Sequence, residues 1–446
     1  MDYDLIVRTE ALDIGIADGL IGATAPGGTL AGSATEECDA GELTALPGGV
    51  DVHVHCNEPG RTEWEGFATA SAALAAGGFT AFFDMPLNAM PATTDVAAFD
   101  RKLAHATEAS RLDFALWGGL VPGNLPELEP LHRRGVVGFK AFMCETGIQD
   151  FRPVDDATLR DGMREIAALG SILAVHAEND AITGSLTAAA RARGRTDARA
   201  YLQSRPPIVE LEAIGRAIAL AADTGCRLHI VHVSTANGVE LVQAARHRGV
   251  DVSWETTPHH LAFTGEDVER IGVLAKCTPV MHDAANRDRL WAHVAGDPDA
   301  IVASDHSPAP ASLKPEGDFF AAWGGISGAQ STRGVLLQGV ADGRLALDAA
   351  LAVTGANPAR RFGLGSKGVI APGRDADLAL VDLDARWALG TAELRYRHAH
   401  SPFVGTPLRG AVRHLLARGR WLIRDGEPRP GHHGRLLVPG PPAAGA

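Results

Sequence analysis

Short runs of apolar residues, many of them closed by a polar one, recur through most of this chain. Eight stand out: 50–55 (VDVHVH), 79–84 (FTAFFD), 113–118 (DFALWG), 135–141 (GVVGFKA), 171–176 (SILAVH), 227–233 (RLHIVHV), 250–255 (VDVSWE) and 300–305 (AIVASD). Their length and their Val, Ile and Phe content predict β-strands. Ala-rich stretches at helical spacing separate most of them: Ala68–Ala76, Val96–Ala109, Asp156–Leu169, Leu211–Asp223 and Val239–Arg248. Strands alternating with helices imply a parallel sheet, because parallel neighbours need a crossover. Eight such units within about 310 residues match an α/β fold, a (β/α)8 TIM-type barrel with insertions. An open doubly wound sheet is the structural alternative.

The two ends of the chain read differently. Tyr3–Val7 is a β run, followed by glycines from Gly15 to Gly32 and a turn at Pro26-Gly27-Gly28. Asp377–Val381 and Trp421–Ile423 are also strand-like, with a turn at Pro372-Gly373. The expected organisation has four parts. Residues 1–48 and 363–430 are the N- and C-terminal parts of a small β-sandwich domain, and 49–362 are the barrel. Residues 431–446 are a Pro/Gly-rich tail, a coil in which His432 and His433 are expected to be solvated.

Composition narrows the classes. The 446 residues are 46% hydrophobic and carry a net charge of -13, which argues against a nucleic-acid partner. The longest apolar run, near Ala217–Ala222, falls far short of the ~20 residues that a membrane-spanning helix needs. Met1-Asp2-Tyr3-Asp4 does not open a secretory signal. The cysteines (Cys38, Cys56, Cys144, Cys226, Cys277) are scattered and odd in number, so reduced thiols and a cytoplasmic location are expected. Histidine is plentiful, 18 against 3 Tyr, and its placement carries the chemistry.

In Val52-His53-Val54-His55, alternation along a strand turns both imidazoles to one face and both valines to the other. Such a pair can reach one metal ion, or can be two hydrogen-bonded core histidines. His176, His232 and Asp305 also close apolar runs, at the strand ends that form the active-site face of an α/β barrel. A carboxylate after a buried strand is costly unless it is paired or binds metal. Four His and one Asp form a nitrogen and oxygen set suited to a divalent ion such as zinc. Lys140 sits inside an apolar strand. It is either paired or snorkelling, or an amine kept neutral so that carbon dioxide can convert it to a carbamate.

Other residues have plainer readings. His229 faces away from His232 and reads as core. His259 and His260 lie near the site and either support a ligand or pack a loop. His306 points away from Asp305. Cys56, Cys144 and Cys277 read as pocket lining, and Trp64 and Trp323 cover a ligand or pack loops. Gly363-Leu364-Gly365-Ser366-Lys367-Gly368 fits a dinucleotide fingerprint but precedes a strand-like run rather than opening a helix.

The pattern of H-x-H on strand one, Lys on four, His on five and six and Asp on eight resembles the cyclic amidohydrolases: dihydroorotases, hydantoinases and allantoinases. The resemblance covers almost the whole chain. It implies a binuclear centre with His53, His55 and Asp305 on one metal, His176 and His232 on the second, and N6-carboxylated Lys140 bridging both. It further implies two divalent ions (zinc, with cobalt, manganese or iron as alternatives), hydrolysis of a ring amide with Asp305 as proton shuttle, and a homotetramer or homodimer.

Within that family the chain is most similar to allantoinases. Dihydroorotases place an Arg two residues after H-x-H to grip a carboxylate, and this chain has Asn57, with Arg61 nearby. Hydantoinases usually place Tyr five residues after the lysine, and this chain has Glu145. The segments 57–67, 84–88 and 317–326 resemble allantoinase, whereas Val280-Met281-His282 stands where that branch tends to have Pro-Ile-Arg. The implied reaction opens allantoin, a neutral cyclic ureide, to allantoate. Asn88 and Thr278 are the expected ring contacts, and Gly324 and Gly325 would let the ring approach closely. Hydantoinase or dihydropyrimidinase, dihydroorotase, a mononuclear deaminase-type barrel and a ligand-retaining scaffold protein are the alternatives.

Overall fold

The computed structural model of the chain describes residues 2–431 and 434–440, so His432 and His433 lie outside the described residues. Eight parallel strands close into a barrel: Gly49–Val54, Phe79–Asp84, Asp113–Leu116, Phe139–Phe142, Ile172–His176, Arg227–Ile230, Val252–Thr256 and Ile301–Val302. The first three pair in sequence order, as do the last five. Gly118–Gly119 joins the two groups by pairing with Phe139 and Lys140. At the other seam His55 donates its backbone N–H to the His306 carbonyl at 2.8 Å, and Val54 bridges His306. Closure at both seams excludes the open sheet.

The barrel interior is packed with Val50, Val52, Phe83, Trp117, Ala174 and Ile301, and Phe362 and Leu364 plug one end. The expected helices form the outer layer, as Phe67–Ala76, Val96–Ala109, Asp156–Ala168, Ile208–Thr224 and Ala236–His247. Side-chain caps start several of them. Asp95 accepts from Ala98 N–H, and Asp155 from Thr158 N–H, each at 2.8 Å. Strict alternation fails at one point. Val52 packs inside the barrel, while Val54 joins the layer beneath the helices. The pairing with Phe79–Asp84 shifts register between Asp51 and Val54, which breaks the period of two.

The chain ends build two sheets. Leu20–Pro26, Leu12–Ala17, Asp2–Arg8 and Ser33–Asp39 form one, in that order. Thr44–Pro47 joins Leu378–Ala388, Pro407–Ala417, Arg420–Arg424 and Glu427–Pro428 in the other. Leu5, Val7, Ile14 and Ile16 meet Leu378, Leu380 and Leu416 in one core, which makes the pair a sandwich drawn from both ends. The glycine-rich segment at 363–368 follows the helix Ala356–Arg361 and therefore ends a helix. Within it Lys367 is buried and reaches Asp113, Asp375 and Asp377 at 2.7, 2.9 and 2.8 Å. Residues 434–440 are coil laid against the base of the third barrel strand, where Leu437 N–H donates to the Phe114 carbonyl at 2.7 Å. No helix among the described residues is long and apolar enough to cross a membrane.

Candidate functional site

The strand ends bring the proposed ligands to one mouth of the barrel. His53 Nε2 and His55 Nε2 lie 3.2 and 3.5 Å from the same oxygen of Asp305. His176 Nδ1 lies 3.0 Å from His232 Nε2. The His53 and His232 rings are 5.3 Å apart between centroids, which joins the two groups. Asp305 and His232 both adopt left-handed backbone conformations, with φ of 42° and 39°. For non-glycine residues such conformations cost of order 1 kcal/mol and concentrate at functional sites.

Lys140 is fully buried and its Nζ has no hydrogen-bond partner among the described residues. Burial lowers its ammonium to about 7, against the pull of Glu255 and Asp305. Burial would push the Asp305 carboxyl up, but His53 and His55 outweigh it and hold it well below the usual carboxylate range. Burial drives His232 well below the ordinary histidine value, and neighbouring His176 and Lys140 reinforce the shift. Lys140 and His232 are thus shifted toward neutral donors and Asp305 toward an anionic one, a set of the kind a cation takes up.

The amidohydrolase family model matches residues 44–422. The chain belongs to the amidohydrolase family. An allantoinase from Rubrobacter xylanophilus is 52% identical over 446 residues, covering 98% of each chain. One from Solibacter usitatus is also 52% identical, covering 96% of this chain and 93% of the relative. Among solved structures, an L-hydantoinase from Arthrobacter aurescens superposes with a TM-score of 0.94 at 36% identity, covering 98% of this chain and all of that one.

Two carboxylates of this amidohydrolase were not anticipated from sequence. Glu255, on the seventh strand, lies 2.5 Å from His53 Nδ1 and 3.0 Å from His229 Nε2. Burial would raise its carboxyl, but His53 and His229 prevail and hold it at about 2. Glu178 lies 2.8 Å from His176 Nε2 and accepts a hydrogen bond from Thr278 Oγ1 at 2.5 Å. Spacing gave a signal for Glu178, which stands two residues beyond His176 and so on the same side of an extended chain.

Of the four expected ring contacts, Asn88 and Thr278 touch residues of this centre. The Asn88 side-chain Nδ2 is 3.4 Å from His55 Nδ1, and the Asn88 backbone carbonyl accepts from Arg61 at 2.7 Å. Arg61 is therefore already engaged. Thr278 is tied to Glu178 and, at 3.3 Å, to Arg205. Gly325 permits a close approach, but to Ser307: a Cβ there would lie 2.2 Å from the Ser307 carbonyl oxygen. A Cβ on Gly324 would meet only Lys276, at 4.0 Å. Trp64 and Trp323 pack edge to face at 4.9 Å.

Among the remaining residues, His229 is buried as expected, yet it bonds Glu255 rather than apolar neighbours alone. His260 is held by Thr257 Oγ1 and the Pro279 carbonyl at 2.9 and 3.2 Å, whereas both ring nitrogens of His259 lack partners among the described residues. His306 packs on Tyr396, away from the ligands. The five cysteines are buried and unpaired.

Proposed function

We propose that the chain is a metal-dependent cyclic amide hydrolase that opens allantoin to allantoate. The observation that carries the chemistry is the buried amine of Lys140, without a hydrogen-bond partner among the described residues and within electrostatic reach of His53, His176, His232 and Asp305. The allantoinase relatives, at 52% identity over nearly the full chain, support the choice of ring.

The donor set fits a binuclear centre. His53 Nε2 and His55 Nε2 converge on one carboxylate oxygen, and His176 Nδ1 and His232 Nε2 face each other. His53, His55 and Asp305 would hold one divalent ion, His176 and His232 the other, and Lys140 would bridge them. An uncharged Lys140 amine adds to carbon dioxide: the N–C bond forms, a proton leaves, and the carbamate offers two oxygens. When bound, two such ions activate water and polarise the scissile carbonyl. Asp305 accepts the proton that water loses and returns it to the departing ring nitrogen. Water thus adds across the ring amide, leaving a carboxylate and an N–H.

Asn88, 3.4 Å from His55 Nδ1, and Thr278, bonded to Glu178, are the residues that would orient a neutral ureide. Asn57, whose Oδ1 is buried without a partner among the described residues, offers an acceptor but no cation for an acidic ring. Five buried, unpaired thiols support a reducing compartment.

Turnover of allantoin, hydantoin, dihydrouracil and dihydroorotate by metal-loaded protein tests the reading. Allantoin should be the fastest, and faster turnover of any other ring overturns it.

A further inference from the structure

We infer that Glu255 and His229 are positioning residues that brace His53, holding its ring in the orientation and tautomer that leave Nε2 free to ligate. The inference rests on the metal centre of the proposed function and extends it to residues that touch no ligand.

A continuous polar line crosses the barrel interior. Ser253 Oγ lies 2.8 Å from His229 Nδ1, and His229 Nε2 lies 3.0 Å from Glu255 Oε2. Glu255 Oε1 lies 2.5 Å from His53 Nδ1, and His53 Nε2 lies 3.2 Å from Asp305. One oxygen of Glu255 serves each imidazole. A carboxylate can only accept, so both facing ring nitrogens must carry hydrogen. His229 Nδ1 is then an acceptor, and the Ser253 hydroxyl donates to it. In the neutral ring, the form that ligates a metal, His53 Nε2 then carries the lone pair, aimed at Asp305. Two lone-pair atoms 3.2 Å apart call for a cation between or beside them.

The surroundings argue against simple core filling. His229 and Glu255 are completely buried, and the His229 ring packs edge to face on Phe362 at 5.3 Å. Phe362 belongs to the apolar set that fills the barrel interior, with Val231, Ile301 and Ala303. Apolar side chains of similar volume generally match or exceed the stability of a buried ionic network at such a position. What the network adds is a fixed imidazole: a carboxylate on the outer nitrogen sets the tautomer and raises ligand basicity. His229 fixes the second Glu255 oxygen and stops the carboxylate from rotating away.

The test uses the full-length protein, stripped with chelator and titrated with zinc alone, together with steady-state kinetics. Glu255→Gln should weaken zinc affinity by about 10–100-fold, and His229→Leu by about 10-fold. His229→Gln, which keeps a donor toward Glu255, should stay within roughly 3-fold of wild type. At saturating zinc the variants should regain turnover with KM unchanged. Should Glu255→Gln fail to fold, the contrast between His229→Leu and His229→Gln decides. Wild type that loads two ions, with Glu255→Gln and His229→Leu holding them as tightly and differing only in melting temperature, overturns the brace alone. Wild type that takes up neither zinc nor, in a parallel titration, cobalt, manganese or ferrous iron overturns the metal-centre reading and the brace together.

Discussion

The amine of Lys140 lies over the ring of Phe142, 5.0 Å from its centroid. Phe142 in turn stacks on His176 at 4.5 Å, so the lysine is walled in by a ring that also supports a candidate ligand. Truncation to Lys140→Ala should remove more than the ~10–100-fold that loss of an orienting partner costs. Metal content per chain should fall with it, as read by elemental analysis. Full activity in this variant would instead point to a one-metal hydrolase.

Asp305→Asn keeps the shape of the side chain but cannot take a proton from water. Turnover should drop by about 10²–10⁴-fold, the range that general acid–base groups contribute. Single-turnover kinetics on metal-saturated protein checks this. A variant with turnover within a few-fold of wild type would remove Asp305 from the proton-transfer role.

Lys367 ties the small domain to the barrel. Burial opposes its charge, but Asp377, Asp113 and Asp375 outweigh it and hold the ammonium above the usual lysine range. Lys367→Met takes the cation from buried Asp377 and leaves Asp113 with only the Arg418 cation among the described residues, at 3.0 Å, and should cost about 3–5 kcal/mol in urea unfolding. Lys367→Arg should cost less, because it keeps the charge.

Two buried carboxyls contribute a stability that falls as pH rises toward 7. Burial pushes the Glu65 and Glu210 carboxyls from 4.5 to about 7. Between those values the folded chain holds protons that the unfolded chain has released. The stabilisation is therefore complete below about pH 4.5 and is lost as pH rises through 7, at up to roughly 1.4 kcal/mol per unit and per group. The buried histidines, held below their ordinary value, act with the opposite sign but alike in both proteins, so the melting temperature of wild type relative to Glu65→Gln, with metal in excess, should decline from pH 5 to 8. A difference that does not change with pH would mean that Glu65 does not hold its proton.

The strand ends were legible because each candidate ligand interrupts or closes an apolar run, and burial makes a polar residue there conspicuous. Glu255 was not, since it ends a run in which Ser253 also alternates with apolar residues, and nothing local marks either as inward-facing. The Val52/Val54 pattern misled because a register shift leaves no mark in composition. Asp180–Ala192 went unnoticed as a helix because its inner stripe, Ile182, Thr183, Leu186, Thr187 and Ala190, is only half-buried and mixes Thr with apolar residues. Pro407–Ala417 was hidden because half-buried Arg409, exposed Arg413 and buried His414 interrupt its apolar positions.

The sandwich drawn from both chain ends constrains synthesis. Thr44–Pro47 finds its sheet partner only in Leu378–Ala388. At about 5–20 residues per second, a nascent chain spends on the order of tens of seconds on the ribosome between the two. Throughout that interval Leu5, Val7, Ile14 and Ile16 lack the opposing leucines that cover them in the finished molecule. The emerging amino-terminal strands are therefore the stretch where a chaperone has most to shield.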